Sequence, residues 1–295
     1  MVGHVLLLLA SMLPVPQAAP SGMSPSATTL SATTLSAMTW NVCTGTNSNC
    51  RLYRAGAVEL AGHIGEQALA RRAEVIFLQE FCTGATGTLE LWLERRTGKR
   101  WTIGSWGLTG QDGAPYACHP DLLGRPRGAQ SIAVAVAGDA VAFEIHPLPA
   151  PPWYVRRAAI CADLPARKIR ACGTHLSSGS AYDDRQPGAP YRTKQLERLL
   201  EISAKPGYRS LVGGDLNVSP PDSGYGSAAG RRAVAPFYRA YQECDQRDGR
   251  RTGRWTREGK KLDYLFAPKG SVRRCHVERG VTLSDHKPAH IEVTL

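Results

Sequence analysis

Hydrophobic positions fall in short runs, and many of these runs stop on an acid, an amide or an imidazole. Residues 37–42, Ala-Met-Thr-Trp-Asn-Val, alternate well enough for a strand and deliver Asn41 near its end. Residues 74–80, Glu-Val-Ile-Phe-Leu-Gln-Glu, hold an apolar stretch that reads as a buried strand tipped by Glu80. Between them, Val58, Leu60, Ala61, Ile64, Ala68 and Leu69 recur at helical spacing, so 55–72 is expected to be a helix. The order strand, helix, strand predicts a layered α/β architecture.

Further along, 130–136 and 140–145 read as strands separated by a turn at Gly138-Asp139. Residues 154–162 and 168–175 read as another pair, the second ending on His175. A helix is expected over 192–202, with Leu196, Leu199 and Leu200 inward and Arg192, Lys194, Glu197, Arg198 and Glu201 outward. Pro206-Gly207 ends it. Leu211-Val212 then runs into Gly213-Gly214-Asp215-Leu216-Asn217. On extended backbone, Asp215 and Asn217 point to one side, because strand side chains alternate. Such an oxygen-rich pair suits a hard cation, an attacking water and phosphate oxygens. The glycines leave room for a ligand or another strand; the alternative is a strand ending in an Asx turn. The Gly- and Ser-rich stretch 222–230 reads as a loop and 233–241 as a helix. Residues 261–266 form a strand carrying Asp263, and Asp285-His286 precede a C-terminal strand.

Composition adds compartment and partner. With 42% hydrophobic and 21% charged residues, the 295-residue chain is an ordinary globular one. A net charge of +11 favours a polyanionic partner. Between 231 and 261, Lys and Arg outnumber acids and interleave with Tyr238, Tyr241 and Trp255, a composition that suits phosphates and unstacked bases. The apolar run Val5 to Ala10, followed by small residues, reads as a signal peptide over 1–19, although no Lys or Arg precedes it. Residues 20–36 read as a flexible lead-in and 37–295 as one catalytic domain. Eight cysteines fit export and disulfides. Of the roughly 105 possible connectivities, the simplest pairs Cys43 with Cys50, Cys82 with Cys118, Cys161 with Cys172 and Cys244 with Cys275. No tight Cys-x-x-Cys pair points to a structural zinc.

Taken in order, Thr-Trp-Asn41-Val, Phe-Leu-Gln-Glu80, Gly-Thr-His175-Leu, Gly-Gly-Asp215-Leu-Asn217, Lys-Leu-Asp263-Tyr and Ser-Asp285-His286-Lys-Pro resemble the endonuclease/exonuclease/phosphatase superfamily. The resemblance covers nearly the whole mature chain. It implies a four-layered α/β sandwich, two mixed β-sheets packed face to face with helices outside, and an active site at one end. It also implies that Asn41 and Glu80 hold Mg²⁺ (Mn²⁺ and Ca²⁺ being alternatives), with Asp285 contributing directly or through water. Asp215 and Asn217 would position water and the scissile phosphate. His286, oriented by Asp263, would act as general base or phosphate contact, and His175 would bond the phosphate or protonate the leaving group. Arg156 or Arg157 would add positive charge beside the phosphate. The expected protein is a secreted, monomeric, metal-dependent nuclease acting on DNA or RNA, without stable membrane insertion. Alternatives are a sphingomyelinase-type or phosphoinositide phosphoesterase, the former needing an apolar hairpin for which 147–154 is the candidate. A nucleic-acid-binding or toxin-subunit protein with little catalysis is the non-enzymatic alternative.

Overall fold

The computed structural model describes residues 34–138, 140–178, 190–246 and 248–294. The expected signal peptide, most of the lead-in and Arg247 of the basic stretch lie outside them.

The first half of the chain builds β1 (Thr34–Asn41), α1 (Ala57–Ala70), β2 (Val75–Cys82), α2 (Thr86–Thr97), β3 (Trp101–Gly107) and β4 (Gln130–Ala137). Then come β5 (Ala142–Leu148), β6 (Arg157–Leu164), β7 (Ile169–His175), α3 (Pro190–Ser203) and β8 (Arg209–Asp215). The chain closes with α4 (Ala228–Ala240), the two-residue β9 (Gln242–Glu243), β10 (Asp263–Ala267), β11 (Val272–Val277) and β12 (Ala289–Thr294). One six-stranded sheet has the order β11-β12-β1-β2-β4-β3, the other β5-β6-β7-β8-β10-β9. Both mix parallel pairs (β1 with β2, β7 with β8) and antiparallel ones. β1 begins three residues before the expected domain start and pairs from Thr34, opposite Thr294.

The apolar runs are explained by three cores. Val75, Phe77, Val134, Ile160, Leu211 and Leu265 fill the space between the sheets. Met38, Trp40, Ile76 and Leu78 point the other way, onto Leu60 and Ile64 of α1 and Leu89 and Leu93 of α2. Val212, Tyr264 and Phe266 likewise meet Leu196, Leu199 and Phe237 of α3 and α4. Each central strand is therefore apolar on both faces, and β2 and β4 read as nearly unbroken hydrophobic stretches. The sheets come close because glycine allows it: a Cβ on Gly213 would lie 2.2 Å from the Phe77 ring, which occupies that space from the opposite sheet.

Several expectations change. β4 and β5 are not a hairpin; the chain leaves one sheet after Ala137 and enters the other at Ala142. α2 escapes sequence reading because Leu89, Leu91 and Leu93 mimic strand alternation, although only Leu89 and Leu93 are buried. β3, β9 and β11 were also unforeseen, and α4 starts at Ala228, inside the expected loop. Arg192 is buried and not outward; its guanidinium donates to the carbonyl of Asn217. Of the aromatics in the basic stretch, Tyr238 is taken into the core, edge-on against Phe266, while half-buried Tyr241 packs beside Phe237 and half-buried Trp255 lies under Arg279. The 147–154 segment runs from the end of β5 through most of the turn of the antiparallel β5–β6 hairpin, with Leu148 and Pro151 buried and Trp153 exposed. All four simplest disulfides form: Cys43–Cys50, Cys82–Cys118, Cys161–Cys172 and Cys244–Cys275.

Candidate active site

Strand register assembles the cleft. His175 ends β7 and Asp263 begins β10, and each is the register partner of Asp215 at the end of β8. Asn41 ends β1 in the opposite sheet, beside β2. Glu80 would normally alternate with Gln79, which is fully buried. A bulge between Gln79 and Phe81 breaks the pairing with β4, and Glu80 takes a φ of 53°. The bulge re-aims its carboxylate into the cleft.

The two sheets meet at Asn41. Its amide donates to Glu80 Oε1 (3.1 Å) and to Asp215 Oδ2 (3.2 Å). Gln130, first residue of β4, donates to Glu80 Oε2 at 3.1 Å. Asn217 does not lie on extended backbone: its φ is 51°, and its N–H donates to Asp215 Oδ1 (2.9 Å) in an Asx turn. Its side-chain amide donates to the Leu176 carbonyl at 3.0 Å, beside the cleft.

The loop before β12 supplies the rest. Ser284 donates to the Asn41 carbonyl (2.7 Å) and accepts from the His286 N–H (3.0 Å). Trp40 donates to the His286 carbonyl. So held, the imidazole places Nδ1 2.7 Å from Asp263 Oδ2 and Nε2 3.7 Å from Asp215 Oδ2. His175 Nε2 lies 3.5 Å from the same Asp215 oxygen. The cleft measures about 220 Å³ and is lined by Glu80, His175, Asp215, Asn217, Asp285 and His286, among others.

Charge inside this closed space is finely divided. Burial, reinforced by the Asp263 charge, pushes the Asp215 carboxyl up to about 7 against the pull of His286. Burial opposes protonation of His286, but the Asp263 and Asp215 carboxylates outweigh it and raise its pKa to about 9. Burial, with Arg157 and His286 nearby, pushes His175 well below its ordinary value. Near neutrality the cleft thus holds a charged imidazolium, a neutral imidazole and a carboxyl poised between its two forms.

The two candidate arginines part company. Arg157 is buried at the cleft wall over the Tyr154 ring, and its Nε and Nη1 have no hydrogen-bond partner among the described residues. Arg156 points away and donates to the Gln111 carbonyl at 2.9 Å. Asp285 lines the cleft, paired with Arg257 at 2.9 Å. Arg257 and Gln130 were not singled out from the sequence. The basic stretch contains Arg257, yet nothing in its spacing marks it from its neighbours.

Glu80, Asp285 and Asp215 offer carboxylate oxygens along the cleft, while Asn41 turns its NH2 to Glu80 and Asp215 and its Oδ1 accepts from the Cys43 N–H at 3.1 Å. The carboxylates fit a hard divalent cation such as Mg²⁺. The buried unpartnered guanidinium beside it fits an anionic oxygen.

A model of the Endonuclease/Exonuclease/phosphatase family matches residues 38–286. No curated protein sequence matches the chain. Among solved structures, the human Nocturnin catalytic domain with bound sulfate is similar at 17% identity, covering 88% of this chain and 92% of that one, with a TM-score of 0.63. D. rerio TDP2 complexed with single-strand DNA product is 15% identical over 89% and 99%, with a TM-score of 0.56. The Bacteroides thetaiotaomicron mannosyl-6-phosphatase Bt3783 is 14% identical over 88% and 100%, with a TM-score of 0.54.

Proposed function

The chain belongs to the endonuclease/exonuclease/phosphatase family, and on that premise we propose that it is a secreted, Mg²⁺-dependent nuclease that hydrolyses phosphodiester bonds in DNA or RNA. The observation that carries the reading is the buried Arg157, which lines the same cleft as Asp215 and His286 and whose Nε and Nη1 have no hydrogen-bond partner among the described residues. A buried guanidinium left unpaired is costly, and a phosphate oxygen would satisfy it. A net charge of +11 supports a polyanionic substrate, and four disulfides support export.

Glu80 would hold the cation, with Asp285 nearby, and Asn41 would join them through its oxygen once its amide turns over from Glu80 and Asp215. When bound, the cation would neutralise phosphate charge and favour ionisation of an adjacent water. The chain's own residues do the remaining work. Asp215, with a pKa near neutrality, holds the attacking water and accepts its proton. His286, kept charged by Asp263, donates a hydrogen bond from Nε2 to a phosphate oxygen. Arg157 donates to another, and charge developing there strengthens both contacts. His175, neutral, offers a hydrogen bond to the phosphate or leaving oxygen. Asn217, fixed by its turn, steadies the Asp215 carboxylate.

The test is nicking of supercoiled plasmid by the oxidised protein, with Mg²⁺ or EDTA, beside an Asp215→Ala/His286→Ala variant. Nicking that needs the metal and is lost in the variant is expected. A folded protein that leaves plasmid and single-stranded RNA intact with Mg²⁺ present would overturn the nuclease reading.

A further inference from the structure

A second surface feature lies beyond the cleft. Leu122 and Leu123 stand at the tip of a turn, each 77% exposed. Two adjacent leucines in water are unusual for a turn position, and the turn is not loose. Asp121 Oδ1 accepts from the N–H groups of Leu123 and Arg125 (2.9 Å each), and Asp121 Oδ2 accepts from Arg125 Nε (2.6 Å). Arg54 donates to the carbonyls of Pro120 (2.8 Å) and Asp121 (2.7 Å). Just before the turn, the Cys82–Cys118 disulfide fixes the chain to β2. The leucines are therefore held outward by a rigid frame.

Val58 of α1, 74% exposed, lines the same hollow of about 730 Å³. Arg54 and Arg125 stand at its edge, Glu59 opposes them, and Asp121 is taken up by Arg125. This loop leans on the cleft: His119 N–H donates to the Gly45 carbonyl, and Arg127 donates to the Thr44 carbonyl, just ahead of the cleft residues Thr46 and Asn47.

We propose that this face docks on an anionic phospholipid surface. Leu122, Leu123 and Val58 enter the acyl boundary, and Arg54 and Arg125 meet headgroup phosphates. A bilayer interface presents apolar depth beneath negative charge, and this patch presents an apolar tip edged by arginines. The net charge of +11 adds long-range attraction to the same surface. No helix among the described residues is long and apolar enough to cross a membrane, so the contact is peripheral. The inference does not depend on which phosphoester the cleft hydrolyses.

The experiment is co-sedimentation of the full oxidised chain with vesicles of phosphatidylcholine alone and of phosphatidylcholine with phosphatidylserine. Wild type is expected to bind the anionic vesicles. Leu122→Ser/Leu123→Ser is expected to bind them about tenfold more weakly or worse, with an unchanged circular dichroism spectrum and unchanged hydrolysis of a soluble substrate. A Leu123→Trp variant is expected to shift its emission to the blue on adding anionic vesicles. Wild type that ignores anionic vesicles overturns the proposal, as does a serine variant that binds them equally. Sedimentation velocity showing a dimer that the serine variant abolishes would instead assign the patch to a second copy of the chain.

Discussion

Asp263 Oδ2 lies 2.7 Å from His286 Nδ1, and the contact joins the first residue of β10 to the loop before β12. It fixes the ring so that Nε2 faces Asp215. It also keeps the imidazole charged against the penalty of burial. Asp263→Asn keeps the shape and removes the charge. We expect kcat to fall by about 10²-fold or more with KM little changed. The His286 pKa, followed by NMR in the metal-free protein, should drop from about 9 toward its ordinary range.

Arg156 and Arg157 are neighbours in sequence with opposite surroundings, which makes them a matched pair. Arg157→Gln should lower kcat/KM by about 10²-fold and weaken inhibition by inorganic phosphate. Arg156→Gln should leave both within about twofold, because that side chain is tied to the Gln111 carbonyl outside the cleft. Equal effects would place the phosphate elsewhere.

Metal removal should abolish hydrolysis reversibly. The hydrogen bond from Gln130 to Glu80 gives a finer handle. Gln130→Ala leaves the carboxylate but frees its orientation, so the Mg²⁺ concentration for half-maximal rate should rise by about 10- to 100-fold. The maximal rate at saturating metal should be largely kept, whereas Glu80→Gln should lower it as well.

His290 provides a pH prediction independent of the cleft. It lies on β12 opposite His276, buried, and neither ring nitrogen has a hydrogen-bond partner among the described residues. Burial pushes its pKa down to about 4, with Arg71 and His276 adding to this and Glu278 opposing it. The unfolded chain takes up the proton near pH 6.5, so between about 6.5 and 4 the unfolded state binds more protons. Stability should be full above the upper value, fall with acid through the window, and level off below it. The loss should be about 3 kcal/mol. The difference in urea midpoint between wild type and His290→Met, followed against pH, should show this slope, because the cleft groups titrate alike in both.

The cleft was legible because most of its residues lie at or close to a strand end, and strands in a layered sandwich finish at shared edges. Asn41, Glu80, His175, Asp215 and Asp263 each carried that mark, and the Ser-Asp-His triplet preceded an obvious last strand. The bulge that turns Glu80 depends on a partner across the sheet and left no local trace, whereas the left-handed turn at Asn217 is local and is the Asx-turn alternative that the run already offered. The fate of 231–261 was hidden for a similar reason. Whether Tyr238 stacks on a base or on Phe266 is decided by where α4 lands, not by its own neighbours. Arg192 looked outward by helical period, but α3 meets the turn after β8 there, and the Asn217 carbonyl needed a donor.

The sheet order also sets a clock. β12 is inserted between β11 and β1, so among the described residues the first strand is completed by the last. Ser284 closes on the Asn41 carbonyl across 243 positions of chain. Such long-range closure comes late in folding, after the loop entropy has been met. Until residues 284–286 have emerged, the Asn41 carbonyl lacks its Ser284 donor and Asp263 lacks its imidazole. A chain still being synthesised thus carries an unfinished cleft, whose charged pair of Asp263 and His286 forms only when the segment before β12 folds back.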